Sequence, residues 1–582
     1  MGDRAVYTRR AALGILGAGA LSVAAVETVG RDAAYPVRPP AKTGANVLVD
    51  ENSLAGTPGW EVGADGTVAA DDVGRQIQGY ASANSIGHGE TIGFHVAAEG
   101  GHDFRVRVYR LGHYDGVGAR LVATSPPLGG KPGALPSPDP VTGMIACDWP
   151  VAWAVTVDAA WRSGMYLAVF TAADGHRACA PFVVREPSRA SDLLVVSPVT
   201  TYQAYNLWPM DGVNGKSFYK GYNRRGKLAG MRKRAVKVSF DRPYAGAGLP
   251  LLFELDVSFA RWAEAQGYDV TYASSTDLHE GRVDPEKYTA IVFPGHDEYW
   301  SKPMRDVAER AKRAGTHQAY LAANSIYWHV RLERSADGRA NRVVTCYKER
   351  DVVDPSPGEH GPTVRWRTLK QRHAAAEQGL LGVQYNGIPT RPAPLVVREA
   401  DHWFWKGTGL RDGDEIPGLV AGEADGFDPA MPKPGKSRQT LLSASPYEDD
   451  LGRGERVQNT SLILDERGTL IFVGGTYHWP LALHDPAHLN GHVRTATSNV
   501  VERMLRPRDL AQPVPPRPRT RYPHGPSTPR PAQNLPPDRL RTARSGGRLG
   551  RPRRLSRPPG RPGATPRPHR RQPARRGEQT AR

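Results

Sequence analysis

Ala290-Ile-Val-Phe-Pro-Gly-His-Asp-Glu-Tyr-Trp300 is the stretch on which the reading of the fold turns. Four apolar residues run straight into Pro-Gly and then into a dense polar and aromatic cluster. A short unbroken apolar run bounded by turn residues marks a strand buried on both faces. A polar cluster directly behind such a strand falls where open α/β sheets gather their reactive groups, just beyond the carboxyl ends of the strands.

Working outward, the same grammar repeats. Upstream lie Leu193-Leu-Val-Val-Ser197, a helical Leu251–Ala265 and Val270-Thr-Tyr-Ala273; downstream lie a helical Arg305–Arg313 and Ala319-Tyr-Leu-Ala322. Strands alternating with helices predict βαβ units and a mainly parallel sheet, a Rossmann- or amidotransferase-like α/β domain over 188–505. Ser461-Leu-Ile-Leu464 and Leu470-Ile-Phe-Val473 continue it, and Asn499–Leu505 reads as its closing helix. Residues 45–187 read differently, as short strands between Gly, Asp and Pro clusters: Thr91-Ile-Gly-Phe-His-Val96, Phe104-Arg-Val-Arg-Val-Tyr109 and Met165-Tyr-Leu-Ala-Val-Phe170. That pattern predicts an antiparallel β-sandwich. A chain of 582 residues exceeds what one core sustains, so two folded domains is the economical division.

The ends carry different messages. Thr8-Arg9-Arg10-Ala11-Ala12-Leu13, an apolar run to Val26 and small residues around Ser22-Val23-Ala24 have the basic, apolar and cleavable parts of a twin-arginine export signal over 1–30. The run is shorter than the ~20 residues a bilayer requires, so the expectation is cleaved export to the outside or the cell surface without a stable membrane span. A Pro-rich linker over 31–44 follows. At the other end, residues 506–582 hold 21 Arg, 18 Pro and three acids, which is the whole net charge of +18; the remaining 505 residues carry 56 groups of each sign. The basic composition therefore belongs to a tail expected to be disordered, and specific nucleic-acid binding is not indicated. Of the three cysteines, Cys147 and Cys179 share the strand-rich region, which leaves one disulfide open; no pair has zinc or redox spacing.

Polar clusters follow each expected strand: Thr200-Thr-Tyr-Gln-Ala-Tyr-Asn206; Asp241-Arg-Pro-Tyr244 after Val236–Phe240; His296-Asp-Glu-Tyr-Trp300; and Ala323-Asn324. There is no phosphate loop, no Gly-x-Ser-x-Gly elbow, no His-Glu-x-x-His, and no cysteine at a strand end. What remains are oxygen donors, Tyr205, Tyr244 and Glu298, with His296 and Asn324 nearby. Phenolate and carboxylate are hard ligands that suit ferric iron better than zinc. Each residue also has a plain structural reading: aromatics fill cores, Glu298 caps the helix starting near Ser301, Asn324 shapes a turn. His329, His402, His478 and His484 have no ligand spacing and read as packing residues.

Gly295-His-Asp-Glu-Tyr-Trp300, Thr201-Tyr-Gln-Ala-Tyr-Asn206, Asn324 with Tyr327-Trp328, Ile77-Gln-Gly-Tyr-Ala81 and Tyr109-Arg-Leu-Gly-His-Tyr114 together resemble the large subunit of N,N-dimethylformamidase and its relatives, from about 70 to 505. The resemblance implies a mononuclear iron, ferric in character, held by Tyr205, Tyr244 and Glu298, with His296 and Asn324 beside it and Glu423 activating water. Tyr202 competes with Tyr205 for its place. It further implies hydrolysis of a small, N-substituted amide to carboxylate and amine, a separate small subunit, and a homo-oligomer. The rival expectation is a cell-surface protein that binds glycan or polymer and whose α/β domain has retired from catalysis.

Overall fold

The computed structural model describes residues 46–506, apart from 64–66, 190 and 349–353. The expected export signal, linker and Arg/Pro-rich tail lie outside the described residues. Among the described residues no helix is long and apolar enough to cross a membrane.

In the first part of the chain, Phe104–Leu111, Gly164–Ala172, His176–Arg185 and Ala119–Thr124 form an antiparallel sheet. A second, three-stranded sheet pairs Gln78–Ala81, Thr91–Ala97 and Val151–Thr156. Alternation drives both: Val106 and Val108 are buried while Arg105 is exposed between Phe104 and Val106, as a pleat with one wet face requires. Ile92 and Phe94 from the smaller sheet meet Val106, Phe170, Phe182 and Val184 from the larger in one core. The pairing is not wholly antiparallel, because Val68–Ala69 and Ser85–Gly87 each lie parallel to His176–Arg185. Long connections separate those partners, which is what parallel pairing needs. Cys147 and Cys179 pack in separate clusters, and all three cysteines are free and buried.

The second part is organised by a seven-stranded sheet. Leu193–Ser197 lies between Val270–Ser274 and Ala290–Phe293, followed by His317–Tyr320, all parallel; Leu470–Val473 continues parallel, and Ser461–Asp465 and Ser437–Leu441 complete the sheet antiparallel. Leu193 and Val195 enter one core while Leu194 and Val196 enter another, so both faces are covered. Phe253–Ala265, Lys302–Ala314 and Gly491–Leu505 are its long helices. Ser301 caps Lys302–Ala314, its hydroxyl accepting from Met304 N, and Gly315 ends it in the left-handed region. Glu298 is thus free of the capping role.

One expected strand belongs elsewhere. Lys237–Ser239 forms, but it joins Val343–Thr345, Trp328–Glu333 and Tyr299–Ser301 in a separate four-stranded sheet. The Asp241 cluster therefore does not open at the carboxyl edge of the central sheet.

A buried ion pair ties the strand-rich region to the α/β region. Arg110 on Phe104–Leu111 donates twice to Glu264 on Phe253–Ala265, at 2.8 and 3.0 Å, and both side chains are fully buried. Tyr272 adds a third donor to Glu264 at 2.7 Å, and Tyr114 donates to Glu51 at 2.7 Å. Gly112 is required for this approach: a Cβ there would stand 2.6 Å from Glu264 Oε2.

Candidate active site

Two strand ends set the centre. Leu193–Ser197 passes directly into the short helix Val199–Tyr205, whose last residue is Tyr205. Ala290–Phe293 delivers Gly295, His296 and Glu298. Thr201 holds the two segments together, its hydroxyl oxygen accepting from the backbone of Glu298 (3.1 Å) and Tyr299 (3.2 Å). Gly295 allows Asp256 to pack against the turn, since a Cβ would lie 2.2 Å from its carboxylate. Asp256 accepts from the Tyr202 hydroxyl at 2.6 Å. Tyr202 is thereby committed behind the site, and Tyr205 is the tyrosine of this helix that faces Glu298.

The Tyr205 hydroxyl donates to Glu298 Oε2 at 2.7 Å. The other phenol on this carboxylate is Tyr219, 2.7 Å from Oε1 and 2.9 Å from Oε2, with its ring stacked on Tyr205 at 4.7 Å. The two phenol oxygens are 3.2 Å apart. Tyr244, which sequence reasoning put in this position, is set against Tyr202, ring centroids 6.4 Å apart, and bonds Gln203. No hydrogen bond joins it to Tyr205 or Glu298. The cause is the strand exchange described above: Asp241 is locked to Arg342 at 2.6 Å, and the buried Arg242 donates to the carbonyls of Asn206 (3.0 Å) and Lys216 (3.1 Å), turning the segment away.

His296 lies over the cluster. Its Nε2 is 3.2 Å from the Tyr205 oxygen, 3.3 Å from Glu298 Oε2 and 3.8 Å from Glu423 Oε2. Nδ1 is 3.1 Å from the Ala323 carbonyl, which can only accept, so Nδ1 carries a hydrogen. Asn324, in the left-handed region at φ 57°, donates from Nδ2 to Glu423 Oε2 at 2.7 Å and from its backbone to Asp425 at 2.9 Å. Tyr477 hydrogen-bonds Glu423 and packs on the His296 ring at 4.7 Å. Tyr205, Glu298, His296, Asn324 and Glu423 thus come together, and Tyr244 stands apart.

Lys348 is wholly buried, at φ 64°, with Nζ 3.3 Å from the Tyr219 ring centre and no hydrogen-bond partner among the described residues. Tyr219 and Lys348 escape sequence reasoning because both sit on irregular connections, where no periodicity points a side chain. The four histidines expected to be packing residues are partly or fully buried, and burial pushes His329, His402, His478 and His484 down to about 4.

Electrostatics bind the group into one unit. Burial would lower His296, but the Glu298 hydrogen bond and the Glu423 charge lift it to about 9. Burial would raise Glu298; His296, then Lys348 and Tyr219, overcome it and hold the carboxyl below its usual range. Burial, with the Glu298 charge next, pushes both Tyr205 and Tyr219 well above an ordinary phenol. Burial likewise raises Glu423.

Among the described residues no group of three or more His, Cys, Asp or Glu side chains could hold a metal ion. A metal at this site would have to be held by phenols. Two phenol oxygens and one carboxylate within 2.7–3.2 Å of one another make an all-oxygen set. If both phenols ionise, that set carries three negative charges, which a trivalent hard cation balances, so the residues fit ferric iron.

Residues 105–493 match the family model described as N,N-dimethylformamidase beta subunit-like, C-terminal. The N,N-dimethylformamidase beta subunit of Paracoccus aminophilus is 28% identical over 222 residues, 36% of this chain and 29% of that protein. That of Alcaligenes sp is 26% identical over 225 residues, again 36% and 29%. The matched region spans less than a third of the length of these curated relatives. The solved sulfur carrier protein SoxY from Chlorobium limicola f thiosulfatophilum matches at 14% identity over 20% of this chain and 87% of its own, with a TM-score of 0.12, too low to bear on the fold. The family match runs from the larger sheet of the strand-rich region through every residue of the candidate site, and on it the chain belongs to the N,N-dimethylformamidase beta subunit-like family.

Proposed function

We propose that this chain is an exported, iron-dependent amidohydrolase that cleaves the C–N bond of a small N-substituted amide, giving a carboxylate and an amine. The observation that carries the reading is the convergence of Tyr205, Tyr219 and Glu298 beneath His296 and Glu423, in a chain of this family. The chemistry that ferric iron supplies, when held by Tyr205, Tyr219 and Glu298, is Lewis-acid polarisation of an amide carbonyl or of water.

The protein's own groups do the rest. Glu423, kept basic by burial, takes a proton from the attacking water, while Asn324 fixes its Oε2. His296 is anchored through Nδ1 on Ala323, so Nε2 is the atom that delivers a proton to the departing nitrogen. The water oxygen bonds to the carbonyl carbon, the C–N bond breaks, and the amine leaves with the His296 proton. Acid and base transfers of this kind are worth about 10²–10⁴-fold each. Lys348 places a positive charge against the Tyr219 ring and so favours its anionic form over the neutral phenol.

The relatives are named as beta subunits, which supports a separate small subunit as partner and, with it, a larger assembly. Arg9-Arg10 and the apolar run behind them support export. The test is release of dimethylamine and formate from N,N-dimethylformamide by full-length protein from iron-replete cells, beside H296A and E423Q. Turnover by the parent, lost by about 10²-fold or more in each variant, is expected; turnover unchanged in both contradicts the assignment.

A further inference from the structure

The connection that carries Tyr219 has an uncommon charge. From Gly212 to Phe240 it holds nine cations and no acid, although the chain ahead of the C-terminal stretch is neutral as a whole. Its tip is a hairpin of Gly221–Tyr222 and Leu228–Ala229 followed by the turn Met231–Lys233. Arg224, Arg225, Lys227, Arg232 and Lys233 are exposed there, and none forms an ion pair among the described residues. The hairpin is anchored: Lys216 Nζ donates to the Lys233 carbonyl at 2.9 Å, and Arg234 donates to the Tyr347 carbonyl at 2.8 Å.

This hairpin begins two residues after Tyr219, one of the two phenols of the site. His296, Glu298, Asn324 and Glu423 are buried, whereas Tyr205 and Tyr219 keep part of their surface exposed. Chain connectivity holds Lys220–Lys227 within roughly 26 Å of Tyr219, the reach of eight extended residues at ~3.3 Å each. That lies inside the ~30 Å Debye length of a 0.01 M electrolyte.

Resting on the amidase reading above, we infer that the substrate taken by this site carries a carboxylate beside its amide, and that the hairpin draws it in. Unpaired cations close to a site concentrate an anionic substrate and speed its capture, an effect that salt erodes. A neutral amide gains nothing from them. The charge acts on capture and leaves the chemical step untouched, so it appears in KM.

N-formyl-N-methylglycine and N,N-dimethylformamide share a tertiary formamide and differ by one carboxylate, which makes them the probes. Full-length iron-loaded protein is compared with R224Q/R225Q/K227Q and with R232Q/K233Q; the Arg-rich C-terminal stretch is common to all three. At about 0.01 M ionic strength the parent should favour the anionic amide by about tenfold or more in kcat/KM, and about 0.2 M salt should erase most of that. The variants should lose the preference through KM while their rate on dimethylformamide stays within about twofold. Cleavage of dimethylformamide with no preference in the parent overturns this inference alone. A preference that survives in both variants, or an equal loss on both substrates, also overturns it. Cleavage of neither amide overturns the amidase reading and this inference with it.

Discussion

Asn324 Nδ2 donates to Glu423 Oε2 across 2.7 Å, joining the segment behind strand His317–Tyr320 to a residue 99 positions later in the chain. The contact fixes which carboxylate oxygen faces His296 Nε2, 3.8 Å away. E423Q keeps the Asn324 partner but cannot accept the proton of water, so kcat should fall by about 10²–10⁴-fold with KM and metal content near the parent's. N324A frees Glu423 to rotate, and its loss should be smaller, about tenfold to 10²-fold. Steady-state kinetics with metal analysis on both variants checks the order; a larger loss in N324A contradicts it.

The Arg110–Glu264 pair makes a prediction about stability rather than turnover. Removing one partner leaves an uncompensated buried charge, at a cost of about 3–5 kcal/mol. E264Q and R110M should each lower the urea midpoint accordingly. The double variant should be less destabilised than the sum of the two, because neither charge is then left alone. Equilibrium unfolding of the four proteins measures the coupling, and strict additivity would contradict a direct pair.

The cysteines give a pH-dependent test. Burial pushes Cys346 up to about 12 and raises Cys147 and Cys179 further. The thiolate is the reactive form, so native protein at pH 8 should not react with an aromatic disulfide reagent. After denaturation three thiols per chain should appear. Two fewer would indicate a disulfide, in conflict with the packing of Cys147 and Cys179 in separate cores.

The site was partly legible in the sequence, and its gaps have physical causes. Ala290–Phe293 and Leu193–Ser197 announce themselves as unbroken apolar runs, and the residues behind them had to lie at the carboxyl edge of a buried sheet. That placed Tyr205, His296 and Glu298 together. The strand at Lys237–Ser239 is equally visible as a strand, but no local pattern says which partners it hydrogen-bonds, and it joined a different sheet. Tyr244 went with it. Tyr219 arrives on a connection with neither period, and only the folded chain brings it to Glu298. Mixed pairing around His176–Arg185 was hidden for the same reason, since partners roughly a hundred residues apart leave no local trace.

The measurement closest to the centre of this reading is iron content with the visible spectrum of full-length protein from iron-replete cells, beside Y219F, Y244F and E298Q. Near-stoichiometric iron and a phenolate-to-iron absorption band in the parent and in Y244F, both lost or sharply reduced in Y219F and E298Q, is the expected result. Iron and band retained in Y219F but lost in Y244F would contradict the placement of Tyr219 at the centre. A folded parent free of iron would contradict the metal site itself.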